Sequence, residues 1–583
     1  MHGSSTRKIE ERMKSNIMIT TKLYHSLTSI KPEYCEGKEL KQYTICGNEP
    51  FSFQMAYKIL TGEEKSLPFF VKLITDLPVN CYYTGYVPVI HADYSVLEPR
   101  QSIGMYPDVL IPKKVNTVKI KKEAETYYRY CEKDEKVVLA AYNDSWQALW
   151  FAVNEEGEEL QAGTYSVRIE LYDRSLAMVG QSELCLEVLD ARLPQQSLIY
   201  TNWFHYDCLA DYYHVEIFSD RYFEIMRDFV RKAVRNGMNM LLTPAFTPPL
   251  DTALGMERMT AQLVKIKLVD GKYEFDFGLL KRFVDICREE GIVYFEHSHL
   301  FTQWGAEHAP QIVAWVDGKE VRIFGWDTDA LSQEYISFLR AYLTELKKFL
   351  QRENLEKNIF FHISDEPREE HFQNYQRAYE AIGDLLEGYM MGDALSDPRF
   401  YEEGYVKIPI ACTRTAAEFV GKGDPIWCYY TGMEIDQGMS NRLIQMPRER
   451  NRMLGVQMYY HNMKGFLQWA YNFYYGELCS GQFDPWFNPC GGFPNAGTSY
   501  FVYPAHDGTA CQSVRQKIFA EGLTDMRILT LLESLTDRQT CIELIEKYLG
   551  VPDFYTSPED SETFMIFRQA VIEKIKSVKS ARV

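Results

Sequence analysis

No segment of this 583-residue sequence stays apolar long enough to span a bilayer, and no block of Lys and Arg is dense enough to hold a phosphate backbone. The longest basic cluster, Lys113 to Lys122, is broken by apolar residues and reads as the solvated face of a strand. With a net charge of −18 the surface repels nucleic acid and anionic headgroups, so neither is expected as a partner. Met1 to Lys31 is polar and mixed in charge and lacks the apolar run of a secretory signal, with Met13 and Met18 as alternative starts. Thirteen cysteines are dispersed without a CxxC pair, the usage of free thiols in a reducing compartment. The expected location is therefore the cytoplasm. No Gly-rich loop follows an early strand, which removes the phosphate cradle of a dinucleotide fold, and no GxSxG elbow or Cys in a recognisable His context offers a nucleophile.

What the chain does have is aromatic residues, 14% of the total with 40 Tyr and 9 Trp. Aromatic faces stack on the apolar side of sugar rings, and they also fill cores, so the excess alone leaves both readings open. Hydrophobic residues at 46% and charged residues at 25% describe a globular protein, and the length calls for a catalytic-sized unit plus an accessory domain.

Residues 20–192 alternate as short strands punctuated by turns, with Phe51–Ala56, Val71–Ile74, Val137–Ala141, Tyr165–Tyr172 and Leu184–Leu189 predicting a β-sandwich. After the linker-like Asp190–Gln196 the rhythm changes to strands alternating with amphipathic helices. Eight strands are predicted: Leu198–Trp203, Met238–Thr243, Ile292–His297, Ile359–Ser364, Gly388–Gly392, Ile408–Thr413, Ile426–Tyr430 and Phe466–Tyr471. Helices are expected at Arg221–Asn236, Phe277–Glu290, Ser332–Arg352, Glu369–Leu386 and Met446–Met463. Eight strand–helix units over 196–505 predict an α/β fold, a (β/α)8 TIM barrel, ahead of a doubly wound sheet. Residues 506–583 are expected to form a helical extension, its last helix near Ser561–Lys576 packing on the barrel.

Barrel active sites are built at the C-terminal ends of strands. Strand four ends in His362-Ile-Ser-Asp-Glu-Pro367, an apolar strand running into two consecutive carboxylates. If the chain bends there, Asp365 and Glu366 both face the barrel mouth and push each other's pKa values apart, which suits one acid and one anion. A solvated acidic turn starting the next helix is the plainer alternative. Asn202, Trp203 and His205 after strand one, Tyr429 and Tyr430 after strand seven, and Trp469, Tyr471, Asn472 and Trp486 around strand eight are candidate substrate contacts. Strand three ends Glu296-His297-Ser298-His299, and an HxH pair can bind a metal, but no His lies between Gly388 and Gly432 to complete a ligand set. Glu296, His297 and His299 are accordingly expected near substrate, with no metal or other cofactor.

These residues carry a resemblance. The chain resembles glycoside hydrolase family 123 and proteins with the domain of unknown function 4091, from about Leu198 to Leu532, and the preceding sandwich looks like that family's accessory domain. The shared segments are Phe361-His-Ile-Ser-Asp-Glu-Pro367, Met446-Pro-Arg-Glu-Arg-Asn-Arg452, Gly465-Phe-Leu-Gln-Trp-Ala-Tyr-Asn472, Asp484-Pro-Trp486, Tyr503-Pro504, Ser513-Val-Arg515 and Glu521-Gly-Leu-Thr-Asp525. The resemblance implies a retaining β-N-acetylgalactosaminidase in which the substrate's own 2-acetamido oxygen attacks the anomeric carbon. Glu366 would then be the general acid/base and Asp365 the carboxylate holding the acetamido N–H. Strand eight departs from relatives in reading Leu467-Gln468-Trp469, which makes the pair a firmer carry-over than the sugar. A glycosidase of this fold on another sugar, or a non-catalytic carbohydrate-binding barrel, are the alternatives. The expected partner is an oligosaccharide or glycoside; oligomeric state is left open.

Overall fold

The computed structural model describes residues 18–60, 65–90, 103–113, 116–118, 139–436 and 438–581. Much of the basic cluster Lys113 to Lys122 lies outside them. Among the described residues the cysteines are all free thiols, and no helix is long and apolar enough to cross a membrane.

Two antiparallel-rich sheets face each other at the N-terminus. One orders Ile19–His25, Phe51–Ile59, Gln147–Val153, Val79–Val89 and Gly104–Lys113, and the other Gln42–Cys46, Met178–Leu189, Gly163–Asp173, Ser66–Ile74 and Asn116–Val118. Alternate residues of both, such as Phe53, Met55, Phe151, Val167, Ile169 and Leu184, bury into one core between the sheets. The first sheet does not end with the N-terminal segment. Val502–Pro504 and Ala510–Ser513 return as a hairpin and pair onto Gly104–Lys113, so the expectation that the chain turns helical straight after the barrel is corrected. Gln512 opposite Leu110 and Ser513 opposite Val109 set that register.

Eight parallel strands close the barrel: Ile199–Asn202, Met240–Thr243, Tyr294–His297, Ile359–Phe361, Met390–Leu395, Ile408–Cys412, Trp427–Tyr430 and Gly465–Gln468. Its interior is filled by large side chains set against missing ones. Phe360 and Trp427 stack at 5.0 Å, and a Cβ on Gly465 would lie 2.1 Å from the Trp427 ring. A Cβ on Gly392 would lie 2.8 Å from Phe360. The two rings thus make a solid floor under the mouth, and removing either would cost about 3–5 kcal/mol.

Helices α1 (Asp220–Arg235), α2 (Gly278–Glu289), α3 (Gln333–Arg352), α4 (Phe372–Leu386) and α5 (Arg448–Tyr460) cover the barrel. Ser219 and Ser332 start α1 and α3 by accepting a hydrogen bond from the backbone of Tyr222 and Tyr335. Two of the connections between barrel strands carry almost no helix. Strand five is followed by only the one-turn helix Arg399–Glu402, and strand six by the 3-10 turn Ala416–Glu418. Their segments are too short and too broken by Pro and Gly to lay down an amphipathic face. A four-stranded sheet, Lys265–Val269, Lys272–Asp276, Ile312–Val316 and Lys319–Phe324, is inserted in the loops after strands two and three.

α6 (Val514–Leu535) runs against α5 so closely that a Cβ on Gly455 would meet the Gly522 carbonyl. Arg452 on α5 holds Asp525 at 2.6 and 3.0 Å and Glu521 at 2.7 Å, all buried. The segments 446–452 and 521–525 singled out in the sequence therefore join helices. α7 (Arg538–Leu549) and α8 (Ser561–Ala581) follow. α8 was expected on the barrel; it packs with the sandwich as well, where Arg568 pairs with Glu49 and Lys576 with Glu187.

Candidate active site

Strand four leaves its ladder at Phe361, three residues before the predicted end, because the Asp393 carboxylate takes the N–H groups of Ile363 and Ser364 at 3.3 Å each. The freed chain is then held by the loop after strand three. Leu300 N–H donates to the His362 carbonyl, Phe301 N–H to Ile363, Ser364 Oγ to Thr302 and Trp304 N–H to Asp365. At Glu366 the backbone adopts φ 44°, a left-handed conformation that costs a residue with a side chain about 1–3 kcal/mol and breaks the strand's alternation. Adjacent carboxylates can then share one side. Tyr429, pointing inward from strand seven, donates its hydroxyl to Glu366 Oε1 at 2.5 Å.

Both carboxyls are half-buried. Burial first and the neighbouring Glu366 second push Asp365 well above the usual carboxylate range, against the opposing pull of His362. Burial also raises Glu366, while the Tyr429 hydroxyl and the Trp304 indole pull it back. The pair therefore keeps a proton to higher pH than an exposed Asp or Glu would, and it titrates as one unit.

Beneath the pair lies a polar network sealed from solvent. Glu296 accepts from Thr201 Oγ1 at 2.6 Å, Trp203 Nε1 at 2.7 Å and His362 Nε2 at 2.6 Å. His362 Nδ1 donates to Asp393 Oδ1 at 3.0 Å, and Tyr375 of α4 donates to the other Asp393 oxygen. His299 stacks on His362 with ring centroids 4.4 Å apart and meets Trp203 edge-on, yet neither of its ring nitrogens has a partner although it is wholly buried. Burial holds it neutral, far below the usual imidazole range. His299, His362 and Asp393 bring ligand atoms within 4.8 Å of one another. Both His362 nitrogens, however, sit at hydrogen-bond distance from a carboxylate, the spacing of a shared proton and too short for an intervening ion.

The other sequence candidates divide by strand phase. Trp203, Tyr429 and Trp469 point inward and pack with Phe360 and Leu467 as an aromatic wall around the mouth. His297, one residue out of phase with Glu296, points into the helical layer, donating to the Ser298 carbonyl and accepting from Tyr342 of α3 at 2.7 Å, so its expected place near substrate is corrected. Tyr430 and Tyr471 likewise face outward, Tyr430 against Phe466 and Tyr471 donating to the Phe229 carbonyl of α1. Asn202 is fully buried and faces the Tyr200 hydroxyl at 3.5 Å. Asn472 clamps the backbone of His205 from both sides, at 2.9 and 3.1 Å, and does not join the pocket. His205 itself donates to the Trp469 carbonyl and accepts from Arg258, whose guanidinium holds the buried Asp207 at 2.7 and 2.8 Å. Trp486 donates to the Pro504 carbonyl and packs on Tyr503, away from the pair.

Three residues at the site escaped the sequence reading. His362 lies inside the strand-four segment, in phase with Phe360 and therefore inward. Asp393 directly follows the predicted end of strand five, where the rule of polar residues after strands points to it. Trp304, 39% exposed at the rim, sits in an irregular loop that no periodicity marks.

Residues 203–532 match the model of the glycoside hydrolase 123 catalytic domain. Comparison with curated proteins finds no match. Among solved structures, a family 123 glycoside hydrolase from Clostridium perfringens, studied for glycolipid glycan hydrolysis, superposes with a TM-score of 0.67 over 97% of this chain and 98% of its own, at 13% identity. A β-glucuronidase from Bacteroides uniformis covers 88% of this chain and 52% of its own at 11% identity, with a TM-score of 0.28.

Proposed function

Because the chain belongs to glycoside hydrolase family 123, we propose that it is a retaining exo-β-N-acetylhexosaminidase, with N-acetylgalactosamine the preferred sugar, acting on short oligosaccharides through the substrate's own acetamido group. The observation that carries this reading is the adjacent pair Asp365 and Glu366 at a strand end, with Tyr429 of the inward aromatic cluster donating to Glu366. A retaining enzyme with its own nucleophile needs two carboxyls about 5–5.5 Å apart across the sugar, and a pair on neighbouring residues of one bend is better suited to flanking a single face. Glu366, raised by burial, protonates the glycosidic oxygen. The acetamido carbonyl oxygen then attacks the anomeric carbon as the bond to the leaving group breaks. Asp365 accepts the acetamido N–H and stabilises the positive charge of the closing ring. Burial and Glu366 weigh hardest on Asp365, and the acetamido N–H is the donor that offsets them.

The test is a screen of aryl glycosides of N-acetylgalactosamine, N-acetylglucosamine, galactose and glucose, followed by kinetics of two variants. Glu366→Gln should lose about 10²–10⁴ in rate on poor leaving groups and less on activated ones. Asp365→Asn should be impaired on both, without rescue by azide to an inverted glycosyl azide. Turnover of galactosides and not of the acetamido sugars, or recovery of Asp365→Asn alone on the good leaving group, would overturn the mechanism.

A further inference from the structure

We propose that His362 is a fixed imidazolium, clamped between Glu296 and Asp393, and that it is a positioning residue whose positive charge lets Asp365 ionise under a bound sugar. The inference rests on the glycosidase reading only for what Asp365 does; the state of His362 stands on geometry. Its two nitrogens meet Glu296 Oε1 at 2.6 Å and Asp393 Oδ1 at 3.0 Å, with all three side chains buried. The remaining partners of the two carboxylates are groups that donate. Glu296 takes the Trp203 indole N–H and the Thr201 hydroxyl, and Asp393 takes two peptide N–H groups and the Tyr375 hydroxyl. An indole or a peptide N–H can only donate, so each carboxyl accepts on at least one oxygen, Glu296 Oε1 from Trp203 and Asp393 Oδ2 from the two peptide N–H groups. A neutral imidazole would turn one lone pair toward one of them at hydrogen-bond distance. With both carboxyls ionised, each ring nitrogen carries a proton. In keeping with this, burial alone would push His362 down, but the hydrogen bonds and charges of Asp393 and Glu296 outweigh it and lift the imidazole from 6.5 to about 10.

Among the described residues no Lys or Arg joins the cluster. His362 is faced by the neutral His299 stacked on one side, by the rings of Phe360 at 5.0 Å and Trp203 at 6.1 Å, and by the two carboxylates. Asp365 is faced by Glu366, His362, Asp393 and Glu296, of which His362 alone favours its anion. Glu366 in turn is faced by Tyr429, Trp304, Glu434 and Arg368. The clamp thus nets one negative charge, and removing the imidazolium would leave two beneath the group that must ionise. Removing Glu296 instead would leave none.

The signs follow. Asp365 acts ionised, so activity falls as pH drops through its pKa. His362→Gln raises that pKa and should move the acid limb of kcat/KM to higher pH, by about one unit. Glu296→Gln lowers it and should move the same limb to lower pH. Loss of mere packing would slow both variants without opposite shifts. Because either variant could fail to fold, the wild-type protein carries a second test. With histidine labelled with 15N, one imidazole should show both nitrogens protonated at pH 8.5. Among the described residues His362 is the one imidazole pushed up, whereas His25, His205, His297, His299 and His461 are pushed down by burial. Only neutral imidazoles at pH 8.5, or acid limbs that move together, would overturn the proposal. Both readouts hold whichever aryl glycoside proves to be the substrate, so a wrong sugar would be recognised separately.

Discussion

Tyr429→Phe removes one oxygen atom and leaves the ring that packs against the aromatic wall. The lost hydroxyl donates at 2.5 Å to Glu366 Oε1 and favours the Glu366 anion. A hydrogen bond to a charged acceptor contributes about 1.5–3 kcal/mol. At 1.36 kcal/mol per pKa unit the loss corresponds to about 1–2 units, and Glu366's partial exposure favours the lower end. With Glu366 as the proposed acid, activity is present below its pKa and fades as pH rises through it. Without the hydroxyl the pKa rises, and the alkaline limb of kcat/KM should move up by about one unit. The assay is a pH series on an activated aryl glycoside, with circular dichroism to show an unchanged fold. An alkaline limb that stays in place or moves down would refute the assignment of Glu366 as the acid or of Tyr429 as its partner.

Gly305 adopts φ +125°, and a Cβ there would sit 2.9 Å from the His371 ring, so Gly305→Ala should shift the Trp304 loop and lower kcat/KM while melting shows the barrel intact. Arg258→Met strands the buried Asp207 and should cost about 3–5 kcal/mol, read as a clear fall in the thermal midpoint. His299→Ala opens a cavity beside the buried His362 and should lower the thermal midpoint, and His297→Phe, which strands the Tyr342 hydroxyl, should do the same while leaving KM alone. Activity should survive exhaustive chelation, and its return on adding zinc would contradict the hydrogen-bonded state of His362.

Strand positions were legible because a buried parallel strand is a short apolar run, and eight of them between amphipathic helices leave few other architectures. Strand ends were less so. The predicted ends of strands four and eight fall three residues late because polar groups, Asp393 in one case and the Gln468 amide oxygen binding Ala470 N–H in the other, intercept the ladder. Which residues face inward depends on a period of two, so one residue of phase separates Glu296 from His297 and Tyr429 from Tyr430. The carboxyl pair Asp365 and Glu366 is legible from its position at a strand end. Its bend at Glu366 is not, since a positive φ there is imposed by neighbours distant in sequence. The clamp around His362 joins strands three, four and five, and no local pattern links Glu296 to Asp393.

The hairpin that completes the sandwich has a consequence for synthesis on the ribosome. Asp108 is buried against Tyr503 and Arg515, and the Tyr503 contact spans 395 residues of chain. At about 5–20 residues per second, roughly 20–80 s separate the emergence of the two. For that time the edge of Gly104–Lys113 stays open, with a carboxylate waiting for a cation not yet made. A nascent chain arrested within the barrel should therefore expose a sheet edge able to pair with another copy, and a ribosome-bound chaperone that covers it would act until residues 502–513 emerge.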